Sequence, residues 1–348
     1  MATDLGNLTP FALDSAFAYG VDARAMFVLC VAGRFRLPAA GARADEPLQL
    51  AEEQLPPAMA DVHWGDPATT SLRFAGQGLA HRDGPEVYLS GAAVAPRGRA
   101  MTEMMTSLRL GDCSKRIRVI GDRYWTRGLV GLRPTRPEAF TEMPLTYERA
   151  FGGTNRQGER VVACDARNPV GRGHHADAAA AVDQPLPNLE APESRVSYWN
   201  DVAEVSGFGP IPGAWQPRLA HAGTYDDRWV EECAPLWPED IAPAYFCSAA
   251  PSLSLRQPLR GGEPVVLEGF AADGVIAFRL PTYRLVAKSY YGHCTTREPL
   301  TLDGVLIEPG NGAVTLMWRG VMPLGHGPRA HLRSIVRLLE PWEDHVDA

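Results

Sequence analysis

Acidic side chains beside aromatic residues are the strongest candidates for chemistry in this sequence. Glu148 follows Tyr147, and Asp226 follows Tyr225, with Trp229 three residues further on. Two carboxyl groups about 5 to 10 Å apart, beside rings that stack on a sugar, are the arrangement that glycoside hydrolases use. One hypothesis is therefore a carbohydrate-active hydrolase that uses Glu148 and Asp226.

The same carboxylates also have a structural interpretation, which we favour. Arg149, Arg218 and Arg228 lie near them in the sequence. A guanidinium group binds a carboxylate through two parallel hydrogen bonds, and loops that bury polar groups need such partners. We therefore expect Glu148 and Asp226 to form ion pairs with these arginines.

Other motifs for catalysis or ligand binding are missing from the sequence. There is no Gly-x-Ser-x-Gly nucleophile motif, and Gly171-Arg172-Gly173 lacks the Lys-Ser/Thr of a phosphate loop. His174 and His175 are adjacent, so on an extended chain they point to opposite sides, and we expect a solvated pair. The sequence predicts no catalytic residue, no metal and no cofactor.

Composition and charge restrict the class of protein further. The net charge is −7 and no long run of Lys or Arg offsets it, which argues against a nucleic-acid partner. No apolar run is long enough to cross a membrane, and no secretory signal is evident. The six cysteines are scattered without a paired spacing, which indicates reduced thiols. We expect a cytoplasmic protein.

Strand signals dominate both ends of the chain. Short β-rich runs with alternating apolar residues, and Gly-containing turns between them, predict three hairpins and further single strands. The predicted strands lie at residues 24–37, 86–94, 104–110, 117–119, 265–267, 275–278, 284–291, 305–307 and 314–318. Residues 332–339 fit a helix or a strand equally well, and residues 176–182 and 226–230 predict short helices.

A central segment, residues 141–250, shows neither the helical nor the strand periodicity of apolar residues. It is rich in Gly, Pro and aromatic residues, which take a defined path only when rings are buried and charges are paired. The expected organisation is a β-rich part at 1–140, this loop-rich segment, and a β-rich part at 251–348. The two β-rich parts either pack together as one unit or form separate lobes. The fold class is mainly β, with sandwich-like antiparallel sheets, a long irregular central region and a few short helices. We expect Trp199, Trp215, Trp229 and Trp237 to clamp the segment, with Trp229 buried.

The central segment also carries ordered strings of residues: 147–153, Asn168-Pro169 with Gly171 and Gly173, 187–190, 215–218 and 223–226. These strings resemble the DUF2169 family, a bacterial family of unknown function encoded beside type VI secretion genes. The likeness extends over nearly the whole chain. It departs at residues 80–88, where the family usually has Lys-Pro followed by Thr-Asp-Val.

The resemblance implies a cytoplasmic, non-enzymatic adaptor or chaperone. Such a protein would bind a toxin effector, or its PAAR-like domain, and help load it onto the secretion spike. Residues in these strings, and Trp229 just after the last one, are then candidates either for contact with the partner or for holding the loops. These candidates are Tyr147, Glu148, Arg149, Phe151, Asn188, Glu190, Trp215, Arg218, Tyr225, Asp226 and Trp229. We expect replacement of Trp215 or Arg218 by alanine to lower stability.

Overall fold

The computed structural model describes residues 4–292, 294–324, 331–340 and 343, and this part of the chain is mainly β. Two short α-helices interrupt the strands: α1 (Ala178–Ala181) and α2 (Asp227–Glu232). The strands are β1 (Asp4–Leu8), β2 (Ala12–Tyr19), β3 (Ala25–Arg36), β4 (Val62–His63), β5 (Leu72–Phe74), β6 (Glu86–Leu89), β7 (Ala92–Val94), β8 (Glu103–Leu110), β9 (Cys113–Ile120), β10 (Trp125–Arg127), β11 (Leu132–Pro134), β12 (Glu142–Pro144), β13 (Phe151–Gly152), β14 (Thr154–Gln157), β15 (Arg160–Cys164), β16 (Arg172–Gly173), β17 (Leu189–Glu190), β18 (Pro264–Glu268), β19 (Ile276–Arg279), β20 (Leu285–Tyr291), β21 (Thr295–Glu308), β22 (Ala313–Pro323) and β23 (His331–Leu338).

Eight strands form the larger, curled sheet. Its order is β1-β23-β20-β21-β22-β3-β2, and β6 adds to β21 beside this path. Most neighbours are antiparallel, but β1 with β23 and β6 with β21 are parallel. The longest pairing joins β3 to β22, from Arg36 beside Ala313 to Met26 beside Pro323. Strands from opposite ends of the chain are thus direct neighbours.

The centre of this sheet is apolar because β3 is paired on both edges and covered on both faces. Its residues 27–33 are buried throughout, as a near-continuous apolar run predicts for a central strand. Gly33 lets two rings approach the backbone: a Cβ here would lie 2.9 Å from atoms of both Phe11 and Trp318. Those two rings stack with centroids 5.3 Å apart. The contact fastens the β1–β2 connection to β22.

Five strands form the second sheet, in the order β17-β9-β8-β18-β19. Strand β8 alternates as its sequence predicts, with Met104, Thr106, Leu108 and Leu110 buried. Both neighbours of β8 are antiparallel: β9 follows it in a hairpin, and β18 comes from the C-terminal part of the chain. The alternation predicted for a half-buried strand is confirmed.

Other expectations are confirmed with adjusted boundaries. The β18–β19 and β21–β22 hairpins form where the glycine turns predict them. Residues 86–94 are not one strand, because the chain breaks at Ser90-Gly91 into β6, which pairs with β21, and β7, which pairs with β12. Residues 331–338 form a strand, β23, which pairs with β20 on one side and β1 on the other.

The central segment has only short elements, as expected from its composition. Its tryptophans are less buried than we expected: Trp215 is buried, whereas Trp199, Trp229 and Trp237 are half-buried. Trp237 nevertheless links distant parts of the chain, because its ring N–H donates to the carbonyl of Tyr19 at 3.0 Å. No helix in the described ranges is long and apolar enough to cross a membrane.

Candidate functional site

Six of the candidate residues lie together beside the edge of the five-stranded sheet. We call Tyr147, Glu148, Arg149, Phe151, Asn188 and Glu190 the motif cluster. The cluster is attached to the sheet by β17, in which Leu189 lies opposite Val119 and Glu190 opposite Arg118 of β9. Because β17 has two residues, its own ladder is short, and side-chain bonds must hold the surrounding backbone.

Asn188 is at the centre of these bonds and is fully buried. Its Nδ2 donates to the carbonyl of Ile120 and to Oδ1 of Asp122, both at 2.9 Å. Its Oδ1 accepts from Arg149 at 3.1 Å and from Arg172 at 3.2 Å. An amide is suited to this position because it carries two donors and an acceptor with two lone pairs. Asn188 thus joins three separate chain segments.

The turn at residues 147–149 explains why its side chains have different partners. It is a 3-10 turn, with about three residues per turn, so successive side chains point roughly 120° apart. Tyr147 enters the core, and Arg149 forms an ion pair with Asp122 at 3.2 Å. Glu148 accepts from the backbone N–H of Ser71 at 2.6 Å and from its hydroxyl at 3.0 Å.

The arginine partner predicted for Glu148 is therefore wrong. The 3-10 geometry directs Arg149 away from Glu148, and the partner of Glu148 is a backbone N–H and a hydroxyl 77 residues earlier. This bond ties the central segment to the start of β5. Nothing close in the sequence signals it.

Glu190 does pair with an arginine, but one outside the central segment. Arg123 donates to Oε1 of Glu190 at 2.7 Å and to the carbonyl of Pro187 at 2.8 Å. The side chains are 3% and 0% exposed, so water screens the pair little. Burial raises the pKa of Glu190 above its ordinary value, although the positive charge of Arg123 opposes that shift.

Tyr147 is fixed from several sides. Its hydroxyl donates to the carbonyl of Gly209 at 3.0 Å, and its ring meets Trp215 edge-on with centroids 5.8 Å apart. Gly207 passes so close that a Cβ there would lie 2.5 Å from the ring. Burial raises the pKa of Tyr147, so the phenol stays neutral. Tyr147 and Trp215 are therefore core residues in this chain.

Arg218 fastens two loops of the central segment and is 6% exposed. Its Nε donates to the carbonyl of Tyr245 at 2.8 Å and its Nη1 to that of Ile211 at 2.5 Å. The guanidinium also lies over the Tyr245 ring at 5.3 Å. These contacts hold loops that have no ladder of their own.

We expect Arg218→Ala to lower the free energy of unfolding by about 1–3 kcal/mol, because it leaves buried carbonyls without donors. Urea unfolding measures the change. The matched control is Arg228→Ala, since Arg228 is 67% exposed and pairs only with surface carboxylates; its effect should be no larger than the scatter between repeated unfolding curves. Equal stabilities for the two variants would contradict the assigned role of Arg218.

Tyr225, Asp226 and Trp229 lie apart from the motif cluster, at α2. Asp226 accepts from the backbone N–H of Trp229 at 2.9 Å and so caps the helix N-terminus. Its predicted arginine partner is wrong, because Arg228 points to Glu232 one helical turn later, at 2.9 Å. Trp229 is half-buried rather than buried, because α2 lies on the surface. Tyr225 is 50% exposed and packs edge-on against the Trp229 ring.

The two carboxylates of the hydrolase hypothesis thus have different local partners. Glu148 is bonded to Ser71, and Asp226 caps α2. Within the described residues, no hydrogen bond or ion pair joins them. Neither the sequence nor this geometry supplies a shared partner that would orient them toward one substrate atom.

The adjacent histidines are also placed differently from expectation. His174 and His175 are both half-buried rather than solvated, and the His174 ring lies edge-on to the buried Phe151 ring. Burial lowers the pKa of His175, and the neighbouring His174 acts in the same direction. In the part of the chain that the structure describes, no group of three or more His, Cys, Asp or Glu side chains is placed to hold a metal ion.

Sequence reasoning missed a second group of charged residues. Arg82 and Glu86, in the stretch that departs from the family strings, form an ion pair at 3.3 Å with side chains 3% and 1% exposed. Tyr88 donates to the same Glu86 oxygen. The backbone N–H groups of Ser248 and Ala249 donate to the other oxygen, at 2.6 and 3.1 Å.

A second buried pair lies beside the first. Arg319 donates to Asp303 Oδ2 at 2.7 Å, and Arg82 reaches the Asp303 carbonyl at 3.4 Å. Burial alone would raise the pKa of Glu86, but the charge of Arg82 and the hydrogen bonds outweigh it and hold that pKa below its ordinary value. We call Arg82, Glu86, Tyr88, Asp303 and Arg319 the buried charge network. The sequence signal that could have indicated this network is the pair Arg82 and Glu86, four residues apart at the start of the apolar strand β6.

Cys30 adjoins this network. Its thiol donates to the carbonyl of Gln77 at 3.3 Å, and burial raises its pKa to about 12. All six cysteines are free thiols, with Cys30 buried and Cys164 and Cys294 exposed.

The geometry can now be set beside known proteins. Neither the curated proteins nor the solved structures contain a match to this chain. The family model described as "Uncharacterized protein conserved in bacteria (DUF2169)" matches residues 22–319, which include both sheets' central strands, the motif cluster and α2. The match covers well over half of the sequence. The chain therefore belongs to the DUF2169 family.

Proposed function

We propose that this protein is a non-enzymatic adaptor or chaperone for type VI secretion. It binds a toxin effector, or the PAAR-like domain of one, in the cytoplasm and helps load it onto the secretion spike. The proposal rests on the genomic association that the family resemblance implies, together with the way in which the chain uses its characteristic residues.

The observation that carries the proposal is that the family strings are used to build a scaffold. Asn188, Arg149 and Glu190 bond to other segments of the chain, and Glu148 binds the backbone of Ser71. Side chains engaged in this way fix irregular backbone, which a binding protein needs in order to present preformed loops. Catalysis would instead need such groups aimed at a substrate.

Exposed apolar and aromatic residues on the surrounding loops support the same function. Tyr198, Val202 and Tyr225 are each at least half exposed. Stable complexes bury roughly 1,600 Å² in total, with aromatic residues contributing strongly to the binding energy. A rigid body with several such loops suits a broad protein contact better than a small-molecule pocket.

Deletion of the gene in its own bacterium tests this function. We expect the toxin encoded beside it to become less soluble and to disappear from the secreted fraction, because the toxin loses the protein that holds it for loading. The measurement is the amount of that toxin in the soluble and secreted fractions. Secretion of a toxin encoded at another locus is the control and should not change. Expression of the intact gene in trans should restore the lost toxin.

Co-purification provides the direct measurement of binding. A tagged copy should retain the neighbouring toxin through gel filtration as one complex. Unchanged solubility and secretion after deletion, with no complex in purification, would refute the adaptor function.

A further inference from the structure

The hairpin of β10 and β11 ends in an unusually exposed apolar tip. Trp125 pairs with Pro134 and Arg127 with Leu132, and Gly128 donates to the carbonyl of Gly131 at 2.8 Å to close the turn. The tip between these glycines is Leu129-Val130. The relative exposure is 107% for Leu129 and 95% for Val130, so the fold covers neither side chain.

A single exposed leucine on a flat surface is common in folded proteins and does not by itself indicate a binding site. Here two adjacent apolar side chains project together from a defined turn, and Gly131 adopts the left-handed conformation that the turn requires, with φ of 69°. Burying an apolar side chain is favourable, and the isolated chain forgoes that gain at both positions. A tip of this kind gains that free energy only when another molecule covers it.

The base of the hairpin is firmly anchored. Trp125 is fully buried in a cluster with Phe151, Leu186 and Val196. Its backbone N–H donates to the carbonyl of Gln184 at 3.0 Å, which joins the first strand of the hairpin to the chain before β17. The hairpin therefore stands on a packed apolar base.

The motif cluster holds the same base through polar bonds. Asp122 and Arg123, which lead into the hairpin, are the residues bound by Asn188, Arg149 and Glu190. Ordering a contact loop in advance lowers the entropic cost of binding. The family strings thus have a specific use in this chain, which is to fix the direction of the tip.

Exposed arginines lie on the hairpin and just after it, although the whole chain carries a net charge of −7. Arg127, Arg133 and Arg136 are exposed, and among the described residues none of them takes part in an ion pair or donates a side-chain hydrogen bond. Exposed charge of one sign attracts a surface of the opposite sign and speeds the encounter. The complementary surface would be apolar at its centre and acidic at its rim.

We propose that Leu129 and Val130 form an insertion tip that enters an apolar pocket, rimmed by Asp and Glu, on the protein cargo. This inference rests on the proposed adaptor function and identifies the surface that performs it. Two side chains cannot make up a whole interface, so the tip acts as the hot spot within a wider contact. The arginines align with the acidic rim and steer the approach.

The test measures binding of the purified neighbouring toxin by calorimetry. Leu129→Asp/Val130→Asp should weaken binding about thirtyfold or more, the scale of losing a hot-spot contact. Leu129→Met should bind nearly as well as the unchanged protein, because it keeps an apolar tip. Since both side chains are fully exposed, all of these variants should keep the melting temperature of the parent.

Two further variants separate the tip from other surfaces and from charge. Val230→Asp on α2 replaces a residue that is 62% exposed, and it should leave binding unchanged. Arg127→Glu/Arg133→Glu should slow association, and the difference from the parent should shrink as salt is raised.

The outcomes distinguish this inference from the adaptor function. If the unchanged protein binds the toxin and the aspartate tip variant binds equally well, the tip is not the contact, while the adaptor function stands. If Val230→Asp alone abolishes binding, the contact lies at α2 and the tip proposal is overturned. If the unchanged protein does not bind the toxin at all, both proposals fail.

Discussion

Glu86→Gln should lower the free energy of unfolding by about 3–5 kcal/mol at neutral pH, the typical cost of leaving a buried charge without its partner. In this variant Arg82, with its side chain 3% exposed, keeps its positive charge but loses the carboxylate 3.3 Å away. Chemical unfolding in urea at pH 7 measures the loss. The surface variant Glu52→Gln is the matched control, because Glu52 is 90% exposed and its pair with Arg36 should contribute about 0–1 kcal/mol.

The pH dependence gives an independent check on Glu86. Its pKa in the folded protein lies below the ordinary value of 4.5, so its ionised form favours folding. That contribution is complete above the unfolded pKa and is lost as the pH falls through the lower, folded pKa. The stability difference between the parent and Glu86→Gln should therefore be largest at neutral pH and shrink below pH 4.5. A difference that stays constant down to pH 3 would contradict the ion pair.

Arg123→Met should also cost about 3–5 kcal/mol, because Glu190 then stays buried without the guanidinium that is bonded to it. Methionine retains most of the length and apolar volume of the arginine stem, so packing changes little. The measurement is again urea unfolding at pH 7. Arg43→Met is the control, since Arg43 is 75% exposed and its partner Asp45 is a surface residue.

For Arg123→Met, stability should change with pH in the direction opposite to that expected for the Glu86 ion pair. Burial already raises the pKa of Glu190, and removing Arg123 removes the charge that opposed this shift. The folded variant then binds a proton more tightly than the unfolded chain, so its stability should rise as the pH falls toward 4.5 and level off below. Arg123→Met/Glu190→Gln should recover part of the loss at pH 7. No recovery in the double variant would show that packing, rather than charge, sets the cost.

Local patterns in the sequence are sufficient to predict much of the fold. The alternation in β8 and the glycine turn of the β21–β22 hairpin are properties of neighbouring residues, so the sequence displays them directly. The short helix predicted at residues 226–230 also forms, as α2, but Asp226 caps its N-terminus instead of pairing with an arginine as expected from the sequence. Residues 331–338 stayed ambiguous because apolar positions with mixed spacing fit two periods, and pairing with β20 decides between them.

Partners that lie far apart in the sequence could not be predicted. Glu148 binds Ser71 at a separation of 77 residues, and Glu86 binds the backbone of Ser248 at a separation of 162. For Glu148 and Asp226 the sequence predicts arginine partners nearby. The 3-10 turn at residues 147–149 and helix α2 direct these two carboxylates to other groups. Such contacts depend on how whole segments pack, which no short stretch of sequence encodes.

The pairing of β3 with β22 has a consequence for how the chain acquires its structure during synthesis. The ribosome releases β3, an apolar strand, long before the residues of β22 exist. Until then one edge of β3 has no partner, and such an edge attracts other unpaired strands. Closing so large a loop is entropically slow, and large β proteins fold through intermediates that expose apolar surface. The nascent protein therefore passes through an aggregation-sensitive stage that ends only when its last strands arrive.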